Sequence, residues 1–266
     1  MNMRTALSLF IIFIATGHLG CNMIQKAEII RRQNVRNEAN RYAAGNWVER
    51  REAVRKISKY YGPEKNELIV GTLYVALKDP HPLVRIEALN GLYRLKVEST
   101  HVAVKNIAAD EQDPNVRMYA IKALRVFRDP SDIDVFIKGF QGDDWLIREE
   151  SIKGLLVMDD ITVKSRLIPY IIAAINDPRA SIAITTLRRL KTKDEKLYTV
   201  IVNKFNSNTK NNYSLIEATL IGLYGYKLDN KTKTKVINLL VHPNINIRLL
   251  ALKVLRNDKN LTLSDK

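Results

Sequence analysis

Residues Asp113–Leu124 read DPNVRMYAIKAL. Asp113 offers a side-chain oxygen to the unpaired N–H groups of a helix start, and Pro114 suits the first turn, where no N–H is needed. The stretch has an earlier copy, DPHPLVRIEALNGL (Asp79–Leu92), in which Val84, Ala88, Leu89 and Leu92 recur at helical spacing and make one apolar stripe. Weaker copies are NWVERREAVRKI (Asn46–Ile57), DDWLIREESIKGL (Asp143–Leu155), DPRASIAITTLRRL (Asp177–Leu190), NYSLIEATLIGL (Asn212–Leu223) and HPNINIRLLALKVL (His242–Leu255). The small residues inside these helices are Ala53, Ala88, Ala120, Ser151, Thr186, Ala218 and Ala251, separated by 35, 32, 31, 35, 32 and 33 residues. A steady period in this range marks a stack of helical units, each exposing an apolar face that only its neighbour covers. Between the copies lie second amphipathic segments, such as Leu68-Ile69, Leu73 and Leu77, or Ile168, Ile171-Ile172 and Ile175.

The pattern Asp-Pro-x-Val-Arg-x-x-Ala-x-x-Ala-Leu, matched almost fully by Asp113–Leu124, resembles that of HEAT repeats, particularly the short kind named after phycobilin lyases. Asp79–Leu92 fits with two residues inserted before Leu83-Val84-Arg85, and Ala183 stands where the motif has arginine. The resemblance covers about residues 46–256. It implies an all-α fold, a right-handed α-α superhelix of about six helical hairpins plus a terminal helix near Ile245–Arg256, forming one solenoid over residues 46–266. It also implies that Arg85, Arg117, Arg148 and Arg248 bond acidic or backbone groups of the adjoining turn and are structural. Finally, it implies that the second helix of each pair lines the concave side. That placement makes Lys196, Lys204, Lys231 and Lys235, with Tyr170 and Tyr198, candidate groove contacts. The alternative is ordinary surface lysines in turns.

The chain opens with one arginine, Arg4, then the apolar run ALSLFIIFIA (Ala6–Ala15). The run is short of the roughly 20 residues a transmembrane helix needs, and its length suits a secretory signal peptide. His18-Leu19-Gly20-Cys21 resembles a bacterial lipoprotein box, with His18 in place of the usual leucine. That resemblance implies a signal peptide over residues 1–20 and a mature chain beginning at a lipidated Cys21, held in the bacterial cell envelope, on a periplasmic face or the outer membrane. Residues 21–45 then read as a basic juxtamembrane helix or spacer, with Gly45 as a stop. Three other readings stand beside it: cleavage after Ala15-Thr16-Gly17, a retained signal anchor, or a buried N-terminal helix with an inert thiol.

The 266-residue chain carries a formal charge of +15. The excess is uneven: +6 over residues 22–66, −3 over 67–178, +8 over 179–235 and +3 over 236–266. Such a surface attracts anions. Arg31-Arg32, Arg36, Arg41, Arg50-Arg51, Arg55-Lys56 and Lys59 lie near the expected anchor, where each basic residue gains about 1 kcal/mol from anionic headgroups. A solvated helix face is the other reading of that run. Nucleic acid becomes a partner if the chain is not exported, as in the HEAT-like DNA alkylation glycosylases, which are basic solenoids.

A single cysteine excludes an intrachain disulfide and any Cys-ligated metal site. None of His18, His81, His101 and His242 has a His or Cys partner at ligand spacing, and no phosphate-binding, dinucleotide or serine-nucleophile motif occurs. Asp143-Asp144 and Asp159-Asp160 precede apolar helical runs, where capping accounts for them. Trp47 and Trp145 open their helices as packing residues. The expectation is therefore a scaffold without catalytic residues, cofactor or metal, which binds a protein partner along its concave face. An anion-binding module using the basic flanks is the alternative.

Overall fold

The computed structural model describes residues 3–60, 67–158, 164–207 and 212–258, with side chains from Ile24 onward except that of Lys164. The described residues are all-α, and they divide into two compact units. The first unit, Met1–Thr100, holds α1 (Met3–Ala44), α2 (Trp47–Ile57), α3 (Glu67–Ala76) and α4 (Pro82–Leu95). The second, His101–Lys266, holds α5 (His101–Asp110), α6 (Pro114–Leu124), α7 (Ile133–Phe140), α8 (Trp145–Leu155), α9 (Lys164–Ile175), α10 (Ala180–Arg189), α11 (Glu195–Ser207), α12 (Tyr213–Leu223), α13 (Asn230–Asn238) and α14 (Ile245–Arg256).

The motif helices are α2, α4, α6, α8, α10, α12 and α14, and most start as the sequence predicts. Asp113 accepts from the N–H groups of Asn115 and Val116 at 2.9 and 3.0 Å, with Pro114 as the first helical residue. Asp144 does the same for Leu146 and Ile147 at 2.8 and 3.1 Å. Asn46 caps α2, and Glu49 returns a bond to the Asn46 N–H at 2.9 Å, a reciprocal box. Two turns depart from the expectation. The helix after Asp79-Pro80 begins at Pro82, capped by His81, and the helix after Asp177-Pro178 begins at Ala180. Each of these turns holds two more residues before its motif helix than the Asp113 turn, so its aspartate lies out of capping register. Asp79 and Asp177 are buried instead, and each accepts the backbone N–H two residues on, at 2.9 and 2.8 Å.

Between consecutive helices, packing is most extensive across these turns: α1 with α2 and α3 with α4 in the first unit, then α5–α6, α7–α8, α9–α10, α11–α12 and α13–α14 in the second. The described helices after Ala44 number six pairs plus a terminal helix, as expected, but α1 supplies a partner to α2, so seven hairpins close, four of them through aspartate turns. The segment read as a helix or spacer is helical, and α1 lies on α2 and α3 with Val35 buried. The small residues Ala53, Ala88, Ala120, Ser151, Thr186 and Ala251 are fully buried, as close helix approach requires. Gly154 serves the same end, because a β-carbon there would run into the Phe136 ring of the paired helix α7.

Candidate interaction site

In the second unit the motif helices α6, α8, α10, α12 and α14 lie closer to one another than their partners do. The motif helices therefore form the more closely packed, inner row of this unit. Lys196, Lys204 and Tyr198 on α11, Lys231 and Lys235 on α13, and Tyr170 on α9 therefore stand on the looser, outer row. The groove expectation paired each motif helix with the segment after it, whereas each packs on the helix before it, so these six residues lie on the helices that precede motif helices. Two of the six are tied into the fold. The Tyr198 hydroxyl donates to Asp229 at 2.6 Å and accepts its N–H at 2.9 Å, and Lys235 donates to Asn206 at 2.6 Å. The hydrogen bonds from Tyr198 and Thr232 pull the Asp229 carboxyl down to about 2. Lys196 and Lys231 are exposed, and nothing joins the six into one site.

The motif arginines are structural, as expected. Arg85 donates to the carbonyls of Asp79 and Pro80 at 2.9 and 3.2 Å, Arg117 to Ala108 at 3.3 Å, and Arg248 to His242 and Pro243 at 2.7 and 3.0 Å. Arg148 donates to the Asp143 carbonyl and also reaches forward to Asp177 at 3.0 Å. Arg50 makes the equivalent reach, a two-pronged bond to Asp79 at 2.7 and 2.9 Å. Sequence reading missed this second link, whose only signal is the shared 29-residue spacing of Arg50–Asp79 and Arg148–Asp177.

The inner row of the second unit is largely neutralised by its own ion pairs. Arg125 on α6 meets Glu150 on α8 at 3.0 Å, Lys153 meets Glu150 and Glu149 at 2.8 and 2.9 Å, and Arg188 on α10 meets Glu217 on α12 at 3.2 Å. Burial pushes the Glu149 carboxyl up, but Lys153 and Thr185 outweigh it and hold the group below its ordinary value. Most of the arginines that follow Cys21 in the sequence are similarly engaged. Arg31 and Arg32 pair with Glu28, Arg41 and Lys56 with Glu38, Arg55 with Glu52 and Arg51 with Glu87.

The ladder stops at α14. The eighth residue after each cap position is Ile121 on α6, Ile152 on α8, Leu187 on α10 and Leu220 on α12, each 0% exposed, whereas its counterpart Leu252 on α14 is 45% exposed. Leu249 and Ile245 beside it are 59% and 57% exposed. Tyr224, Leu249, Leu252, Lys253, Arg256 and Asn257 line an open groove of about 430 Å³. The Lys253 ammonium sits 4.9 Å over the Tyr224 ring, and among the described residues no carboxylate pairs with Lys253 or Arg256. The result is an apolar floor with a basic rim, able to take an apolar, acidic surface but holding no nucleophile or base.

Other singled-out residues have plain placements. Trp47 stacks on His81 with ring centroids 4.0 Å apart, and Arg179 lies 4.4 Å over the Trp145 ring, so each tryptophan leans on the turn of the next repeat. His101 bonds the fully buried Asp132 at 2.8 Å, and Lys105 joins it at 3.2 Å, which fixes the turn before α7. The Cys21 side chain and Asp159-Asp160 lie outside the described residues. Among the described residues no cluster of His, Cys, Asp and Glu is arranged to hold a metal ion, and no helix is long and apolar enough to cross a membrane.

The family model of HEAT repeats matches residues 70–156. No curated protein matches the chain in sequence. Among solved structures, human deoxyhypusine hydroxylase in complex with glycerol is similar over 88% of this chain and 99% of its own, at 11% identity and a TM-score of 0.43.

Proposed function

We propose that this HEAT-repeat chain is a non-enzymatic scaffold of the bacterial cell envelope, held on a membrane by lipid on Cys21, which binds a protein partner. The observation that carries the binding role is the exposed, apolar end of the inner row at α14, where the other motif helices of the second unit bury the equivalent side chain. Ordinary soluble surfaces scatter their apolar residues, while clustered ones rimmed by charge mark interaction sites. An anion-binding role is less supported, because most of the arginines that follow Cys21 in the sequence already face carboxylates. The membrane role rests on the apolar run and the box ending at Cys21. Two or more acyl chains suffice for stable anchoring, at about 0.8 kcal/mol per buried methylene.

The test is membrane fractionation of the full chain and of Cys21→Ser, with the intact mass of the N-terminal peptide. Wild type should sediment with membranes, begin at Cys21 and carry acyl mass, and the variant should do none of these. A wild-type chain that is soluble and keeps Met1 would overturn the anchored reading.

A further inference from the structure

Within the second unit, Ile121, Ile152, Leu187 and Leu220 are fully buried, each on or beside a helix that packs against the next motif helix. Leu252 has the same register, and among the described residues no motif helix follows α14. The shape that covers this position elsewhere is a helix laid along the row, so a helix is the shape that fits it here. Its apolar side chains would meet Ile245, Leu249, Leu252 and Tyr224, which are all at least 39% exposed. The rim decides the rest. Among the described residues no carboxylate pairs with Lys253 or Arg256, and Asp258, just after α14, is buried. A second copy of the chain would bring Lys253 and Arg256 against themselves, since a two-fold contact meets its own patch, and like charges oppose it.

We propose that the outer face of α14 docks an acidic amphipathic helix of a partner protein, seated where the next motif helix of the array would lie. This rests on the scaffold reading and names the partner's chemistry. The helix presents apolar residues at i, i+3 or i+4 and i+7 to Leu249 and Leu252, and glutamate or aspartate to Lys253 and Arg256. Binding of this kind joins an apolar contact to a salt-sensitive one.

The experiment places a photo-crosslinking amino acid at position 249 or 252 of the full chain, in cells that naturally make it. Controls carry it at Met118 and Trp145, elsewhere on the inner row. Mass spectrometry identifies the cross-linked peptide. The expected result is an adduct from 249 and 252 whose peptide is net acidic, with apolar residues at helical spacing. Adding Lys253→Glu with Arg256→Glu should cut its yield about tenfold, a loss of about 1.4 kcal/mol. A synthetic copy of that peptide, followed by fluorescence anisotropy, should bind the full chain and weaken several-fold between 0.1 and 0.5 M NaCl. Circular dichroism should show both charge variants folded. Three results overturn the inference: a neutral or basic peptide, a peptide of this chain itself, or no adduct at 249 and 252. Partner adducts at 118 or 145 alone would leave the scaffold reading standing, and no partner adduct at any position would remove that reading too.

Discussion

Replacing Asp79 with alanine tests the turn chemistry of the first unit. Asp79 takes two bonds from Arg50, one from the His81 N–H and one from the Tyr42 hydroxyl at 3.3 Å, and its side chain is 1% exposed. The loss strands the Arg50 guanidinium with one carbonyl partner, Gly45, at 3.2 Å. Breaking a buried pair by removing one partner costs roughly 3–5 kcal/mol. The Arg50 side chain stays 21% exposed, so water relieves part of that cost. About 3 kcal/mol is expected, which lowers the unit's melting midpoint by roughly 12–24 °C. Urea titration followed by circular dichroism measures it, with hydrogen exchange of α1–α4 to locate the loss. Arg50→Ala and the double variant complete a thermodynamic cycle, whose coupling should exceed about 1 kcal/mol. A loss under about 1 kcal/mol, or strict additivity, would refute the reasoning. Burial pushes the Asp79 carboxyl up, but the bonds from Arg50, His81 and Tyr42 prevail and hold it below its ordinary value. Its contribution is therefore full at neutral pH and is lost as pH falls below about 4 toward the lower folded value.

Further outcomes follow from other contacts. Burial, with the Asp79 charge beside it, pushes the Tyr42 phenol up to about 12. An unfolded tyrosine ionises near pH 10, so stability should fall between about pH 10 and 12, and Tyr42→Phe should flatten that fall in a stability-against-pH series. Lys96 ends α4 in the left-handed region at φ 51°. Lys96→Gly should raise stability by about 1 kcal/mol in urea titration, because glycine adopts that conformation without steric cost. Leu220→Ala should destabilise by about 2–4 kcal/mol, while Leu252→Ala at the same register should cost under about 1 kcal/mol. Equal losses at the two sites would show that something already covers α14 in the isolated chain.

The period and the caps were legible because they are local. Asp113 and Asp144 sit directly before apolar runs and do what that position dictates. The motif arginines were legible through the family resemblance alone. The pairing of the helices was not, because a strictly alternating array reads equally well in either phase. Only the close packing across the turns before the motif helices selects the phase, and it moved Lys196, Lys204, Lys231, Lys235, Tyr170 and Tyr198 off the inner row. The roles of Asp79 and Asp177 were also hidden: two extra residues in a turn change a cap into a clamp on an arginine of the preceding motif helix. The α14 groove escaped notice because Leu252 looks like any other stripe residue until the missing neighbour is seen.

Each seam between neighbouring motif helices inside a unit carries an ion pair except the last. Arg50–Asp79 links α2 to the turn before α4, Arg125–Glu150 links the end of α6 to α8, Arg148–Asp177 links α8 to the turn before α10, and Arg188–Glu217 links α10 to α12. Between α12 and α14 the described side chains form no such pair. In an array whose stability is a sum of nearest-neighbour terms, that makes the final hairpin the least cooperative segment of its unit. Heat would loosen it before the rest of its unit, and a ligand seated on α14 would act as a clip that holds it in place.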